Sequence, residues 1–392
     1  MESSNKIKYL EGLRGVAALC VFFHHFFLAF YPSYYFAGDP ASIHLGNLEL
    51  AYYRSPLSFI TNGNFMVMIF FVLSGYVLSA SYFKNNKFEI LVSSAIRRFL
   101  RLYIPVAFTL IVAYLLLRNS VYLNREVADI SHSGWLYSIW PNDKSFHTFW
   151  ICLTYLTMFT RDSRYDTTTW TMCYELYGSM MVFTLLALTH KARAKWVIFI
   201  IVSIIAYYLF SIYYIAFIIG ICMNYLTAIP IEKIKFRKPL IFVLVVTGLV
   251  LGGFPSWPSY PNETFYKFFS SPILINNSET IHIVGAAFII MAVLLSKRLQ
   301  NLFSIKPFVF LGDISFSLYL IHPIIIGTIS CWTFLYIYYG TNSYNWSVLA
   351  TILVTVPAML IISKVMTELV DKLGIKFSKY VYNKLFRPAA SV

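Results

Sequence analysis

At 392 residues, 58% hydrophobic and only 12% charged, the chain carries about half the charge of an average soluble domain, which excludes a soluble globular fold. The formal net charge of +14 does not point to nucleic acid, because the Lys and Arg residues fall in short runs between apolar spans, where the positive-inside rule places them. The cysteines, Cys20, Cys152, Cys173, Cys222 and Cys331, are scattered, with neither a disulfide framework nor a metal-ligand spacing, so no metal is expected.

Apolar runs of about 17 to 25 residues predict an all-α polytopic membrane protein of about ten transmembrane helices. The runs lie near 10–31, 64–83, 100–117, 170–189, 196–211, 213–228, 239–254, 280–296, 311–337 and 346–366. The stretch 149–159 is too short to cross and reads as an interfacial or re-entrant piece. Arg14 interrupts the first run and no small-residue cleavage site follows, so this run is a helix of the mature protein, not a signal peptide. With the N-terminus inside, 23 of the 31 basic residues fall on one side, which predicts N-in, C-in topology. The longer loops, 32–63, 118–169 and 255–279, then face outward. Sequons beginning at Asn262, Asn276 and Asn345 fall in predicted outer loops. The whole of 1–392 reads as a single transmembrane domain, with a short basic tail, 367–392, lying on the inner leaflet.

Polar residues at membrane depth are costly and mark function or specific pairing. In the first helix, Arg14 and His25 are 11 residues apart; at about 100° per residue they point within roughly 20° of each other, ~16 Å apart along the axis. Glu11 lies near the same stripe and is expected to pair with Arg14 or a neighbouring arginine, while His24 points away and reads as structural. Ser74 and Gly75, in Phe70-Phe-Val-Leu-Ser-Gly-Tyr-Val-Leu78, read as a small pair permitting close helix packing.

The turn into the third helix, Arg97-Arg-Phe-Leu-Arg-Leu-Tyr-Ile-Pro105, places Arg98 and Arg101 on one face at the membrane side of Arg14. Three guanidiniums at one mouth suit a phosphate-bearing ligand. Glu175, in Thr169-Trp-Thr-Met-Cys-Tyr-Glu-Leu-Tyr-Gly178, lies ~8 Å below Trp170, close to the depth of His25, so an acid/base dyad of the two is expected beside the alternative of a structural hydrogen bond. In Gly312-Asp-Ile-Ser-Phe-Ser-Leu-Tyr-Leu-Ile-His-Pro-Ile324, Pro323 predicts a kink, and Ser315, Tyr319 and His322 line one side of a polar central shaft.

Together these motifs resemble the membrane acyltransferase-3 family: Arg14 and His25 within Glu-Gly-Leu-Arg-Gly-Val-Ala-Ala, the Phe-Phe-Val-Leu-Ser-Gly-Tyr run, Arg98 with Arg101, Trp170-Thr followed by Glu175, and Gly-Asp-Ile-Ser through His322-Pro. They occur in order over nearly the whole chain. The resemblance implies transfer of an acyl group, often acetyl, from cytoplasmic acyl-CoA to a hydroxyl of a surface glycan, lipid-linked sugar or small molecule, in a bacterial inner membrane. It implies that His25 is essential and that Arg14, Arg98 and Arg101 bind the donor. Ser74, Tyr319 and His322 are candidates for the acceptor side or the oxyanion. Pro105 falls one residue later than in many members, and no esterase-like domain follows the tenth span, which implies the stand-alone form. The rival reading is a proton-coupled transporter of an anionic substrate, with Glu175, His25 and His322 as relay.

Overall fold

A computed structural model describes residues 7–36, 39–226, 236–256, 264–269 and 277–386. Among these every regular element is a helix and there are no strands, as a membrane demands when every backbone donor must be satisfied within its own segment. The principal helices are α1 (Lys8–Phe30), α2 (Gly63–Asn85), α3 (Phe88–Arg118), α4 (Trp170–Thr189), α5 (Lys195–Phe210), α6 (Tyr213–Leu226), α7 (Arg237–Gly252), α8 (Ser278–Leu295), α9 (Lys306–Thr341) and α10 (Tyr344–Phe386). Seven of them, α1 to α4 and α8 to α10, are long and apolar enough to cross a membrane. α5, α6 and α7 are shorter, α6 having 14 residues and α7 16, so seven rather than ten spans stand on length and composition. The chain is a multi-pass integral membrane protein.

Several boundaries differ from the sequence expectation. α3 begins at Phe88, a full three turns before the apolar run, so Arg97, Arg98 and Arg101 lie inside the helix and not in a turn. α9 continues through Pro323 and passes through a π-helical stretch, Ile326–Ser330, before resuming to Thr341. α10 likewise continues through Thr367–Asp371 to Phe386. Gly374 there comes against the side chain of Ile104 on α3, so this part of the expected leaflet-lying tail is a helix packed on the bundle. The segment 146–160 is helical. The rest of the tail from 387, Lys6, Lys233, Lys235, Asn262 and Asn276 lie outside the described residues; Asn345 uses its amide to accept from Tyr31 (3.0 Å) and donate to His44 O (3.0 Å).

Two backbone-to-backbone crossings set the centre. A Cβ on Gly15 would collide with the Gly312 and Leu311 backbone, which lets α1 lie directly on α9. A Cβ on Gly75 would collide with the Phe217 carbonyl, and one on Gly220 with α2, which seats α6 in the same manner. This close approach is the small-residue packing that membrane helices use in place of a hydrophobic driving force. Large apolar side chains on α5 and α10, such as Ile200, Leu209, Leu353 and Ile361, are exposed and face outward. The end of the bundle bearing Lys8 is called the near end below, and that bearing Phe30 the far end.

Candidate active site

The crossing of α1 on α9 brings His25 against His322. His25 Nδ1 lies 2.8 Å from His322 Nε2, with the ring centroids 5.0 Å apart and the planes 29° apart, so the two rings meet edge to edge. His322 Nδ1 lies 3.0 Å from the Leu318 carbonyl. A carbonyl only accepts, so His322 Nδ1 carries the proton, and in the neutral ring Nε2 is the acceptor. His25 Nδ1 must then be the donor, which leaves the lone pair of His25 on Nε2. His322 is fully buried while His25 is only half-buried; of the two, His25 is the ring that a substrate can reach. Trp135 stacks on a face of His25 at 5.0 Å and 21°. It sits on a short helix, Gly134–Ser138, whose preceding Ser133 donates to Leu28 O (2.6 Å) and accepts from Leu136 N (3.1 Å). His25 thus carries an indole on one face and an imidazole at its Nδ1 edge.

His24 points away from this pair, as helical geometry requires. Its Nδ1 lies 2.7 Å from Thr61 O, and its ring fills the space that Gly63 leaves at the start of α2.

Glu175 does not join His25. It accepts from Arg98 Nη2 and, at 2.6 Å, from Ser74 Oγ. Arg98 Nε donates to Ser179 Oγ (2.7 Å), one turn on from Glu175. The expected dyad fails because α4 does not start at the membrane surface. Asp166, Thr168 and Thr169 ahead of it are 1%, 1% and 0% exposed, and Thr171 Oγ1 already lies 3.0 Å from Tyr319 OH in mid-bundle. Glu175 is four residues further toward the near end and His322 three residues from Tyr319 toward the far end, which separates them by about 10 Å in depth. Ser74 accordingly serves the ion pair, while its neighbour Gly75 makes the helix crossing.

Arg98 and Arg101 also diverge. Arg98 is 8% exposed and faces Glu175, whereas Arg101 is exposed. Arg14 pairs with Glu11 at 3.2 Å. Both Arg14 and Arg101 remain close enough to act electrostatically on Arg98, so the three cations form one cluster at the near end, balanced in part by two carboxylates.

Tyr319 is buried, with its hydroxyl 3.0 Å from Thr171 Oγ1 and 3.4 Å from Thr168 O, and its ring 6.2 Å from that of His322. Behind it lies a group absent from the sequence reading. Asp166 Oδ1 accepts from Thr168 N (3.0 Å) and Thr168 Oγ1 (2.7 Å), while Oδ2 is buried without a hydrogen-bond partner. Burial pushes its pKa up to about 7. Nothing in Tyr165-Asp-Thr-Thr-Thr-Trp170 distinguishes it from a polar surface loop, and Trp135 sits in a five-residue helix too short to show periodicity.

A helical membrane protein that holds a half-buried imidazole with its lone pair on Nε2, and a guanidinium cluster on one side of it, has the parts of a membrane group-transfer enzyme. The particular class follows from comparison: the acyltransferase-3 family, whose description is an acyltransferase domain, matches residues 7–364, and the chain belongs to it. No curated relative and no solved structure matches the chain.

Proposed function

We propose that the protein transfers an acyl group, acetyl in the first instance, from cytoplasmic acyl-CoA to a hydroxyl of a surface or lipid-linked carbohydrate or small molecule. The observation that carries this reading is the tautomer of His25, whose Nδ1–H is committed to His322 and whose lone pair therefore lies on Nε2, in a ring that is only half-buried. Nε2 takes the proton of the acceptor hydroxyl as its oxygen attacks the thioester carbonyl. Collapse of the tetrahedral intermediate breaks the carbon–sulfur bond, and the imidazolium returns the proton to the leaving CoA thiolate. The same lone pair can instead accept the acyl group first; ping-pong kinetics distinguish that route.

The donor's phosphates dock at the near end. There Arg14, Arg98 and Arg101 face Glu11 and Glu175, three cations against two carboxylates, so an anion completes the balance. Arg98 is buried against Glu175, whereas the Arg14 side chain, though paired with Glu11, is 26% exposed and Arg101 is exposed, which makes these two the direct phosphate partners. The interval from Arg14 to His25, ~16 Å along α1, is the length the pantetheine arm spans. In this reading the near end is cytoplasmic, as the clustering of 23 of 31 basic residues supports. The ten apolar runs then make an N-in, C-in bundle in a bacterial inner membrane. Protein in liposomes, given acetyl-CoA and candidate acceptors, is expected to release free CoA in an acceptor-dependent manner. Solute movement along a gradient with no CoA release would establish the transporter instead.

A further inference from the structure

Beyond its apolar run, α10 continues as the helix Lys372–Phe386, 15 residues long, and its side chains fall in three rows. Gly374 and Ser378, four residues apart, are buried. Leu373, Phe377 and Tyr380, at spacings of four and three, make an apolar row whose members are 55%, 50% and 59% exposed. Lys372, Lys376 and Lys379 repeat that spacing one residue earlier and are exposed as well. At about 100° per residue, the apolar row lies between the buried face and the lysines.

The buried row fixes which neighbour the apolar row meets. Gly374 lies against Ile104 of α3, and Arg97, on the same face of α3 as Ile104, has its guanidinium 6.0 Å from the centre of the Tyr382 ring. The two helices therefore run side by side, and the apolar row stands next to α3. Between them lies a shallow groove of about 490 Å³, open along its outer side and lined by Ile104, Leu373, Gly374, Lys376, Phe377 and Tyr380. The apolar run of α3 begins near 100 and that of α10 ends near 366, so the groove lies at the near edge of the apolar layer. That is the level at which a phospholipid holds its phosphate.

The charge around the groove is one-sided. From Lys364 to Phe386 there are five lysines against Glu368 and Asp371. Glu368 is taken by Lys364 (2.7 Å) and Lys372 (2.6 Å), and Asp371 falls on the side of Gly374 and Ser378, away from the lysine row. Among the described residues no carboxylate pairs with Lys376 or Lys379. An apolar surface facing the membrane accepts any lipid chain, but two unpaired lysines on its rim select a negative headgroup. A soluble anion would leave the apolar row unused.

We propose that this groove binds an anionic phospholipid, with one acyl chain lying on Ile104, Phe377 and Tyr380 and the phosphate held by Lys376 and Lys379. The inference does not depend on the acyl-transfer reading. The bound lipid joins the end of α10 to α3, the helix that carries Arg98 and Arg101, across a contact whose buried residues, Gly374 and Ser378, offer little apolar area of their own.

The test uses the full chain in detergent micelles, with dioleoyl phosphatidylglycerol and dioleoyl phosphatidylcholine as probes and native mass spectrometry to measure bound lipid. Phosphatidylglycerol is expected to bind about 25-fold more tightly than phosphatidylcholine, about fivefold for each of Lys376 and Lys379. Lys376→Gln/Lys379→Gln is expected to abolish that preference and to leave phosphatidylcholine within about twofold. Phe377→Ala is expected to weaken both lipids alike, because it removes chain contact and no charge. Lys297→Gln/Arg298→Gln takes the same charge from two exposed residues elsewhere at the near end and is expected to leave the preference intact. Hydrogen exchange across 372–386 is expected to slow with phosphatidylglycerol and not with phosphatidylcholine. Equal binding of the two lipids by the wild type, or an equal loss of preference in the Lys297/Arg298 variant, overturns the assignment. Inorganic phosphate that slows this exchange as much as phosphatidylglycerol does would make the lysines a site for free anions and would overturn it as well.

Discussion

Replacing Glu175 by Gln tests whether this carboxylate serves the structure through Arg98 or the chemistry through His25. The pair is nearly shut off from solvent, the Arg98 side chain being 9% exposed and that of Glu175 13%, so the screening that makes surface ion pairs weak does not apply. Gln keeps an acceptor for Ser74 but removes the charge. Arg98 is then left with Ser179 as neutral partner and Arg14 and Arg101 as like charges. Uncovering one member of a buried pair costs about 3–5 kcal/mol, and Arg98→Met is expected to cost as much by uncovering Glu175. The double variant Arg98→Met/Glu175→Leu leaves no unpaired charge and is expected to return to within about 2 kcal/mol of the wild type. A double-mutant cycle of Arg98→Met, Glu175→Leu and their double variant, followed by reversible unfolding in mixed micelles, measures this as a coupling energy of roughly 3 kcal/mol or more. Single variants within about 1 kcal/mol of the wild type, or losses that simply add, would refute the reasoning.

Other outcomes follow from the same geometry. Asp166 titrates at about 7 in the folded chain against an ordinary 3.8. The folded state therefore holds a proton that the unfolded state has lost, and stability falls as pH rises across that window, by up to about 4 kcal/mol. Melting temperatures at about pH 5 and pH 8 should differ in the wild type and converge in Asp166→Asn, whereas equal slopes in both would exclude Asp166 as the cause. His322→Ala removes the acceptor that fixes the His25 tautomer and should lower kcat about 100-fold or more, with His322→Gln retaining more activity because Gln offers an acceptor. Equal losses in Ala and Gln would deny the tautomer role. Gly75→Leu drives a side chain into the Phe217 carbonyl and should reduce the folded yield in detergent, while Leu at Gly134, where nothing lies within contact, should not.

What was legible in the sequence is what depends on local arithmetic. The shared face of Arg14 and His25, the pairing of Glu11 with Arg14, the turn of His24 away from that face and the small residue at the α2 crossing all follow from the helical period and from residue size. What was not legible depends on where a helix begins in depth. Measured from Trp170 as if that residue stood at the membrane surface, Glu175 falls at the depth of His25, but the loop ahead of Trp170 is buried. Arg98 and Arg101, three residues apart, share a side of α3 only loosely, enough for one to face Glu175 and the other to remain exposed. The partner of His25 lies 297 residues away, and no periodicity within either helix selects it. Pro323 signals irregularity correctly, yet the wide turn falls just after it, at 326–330.

In the proposed reaction His25 is the group on which the acyl transfer depends, as base or as acylated nucleophile. Purified His25→Ala in liposomes, loaded with acetyl-CoA and a glycoside acceptor accepted by the wild type, measures it most directly by the rate of free-CoA release. The account predicts a fall of at least about 100-fold, with acetyl-CoA binding by calorimetry unchanged. Wild-type rates of acyl transfer in this variant would contradict it.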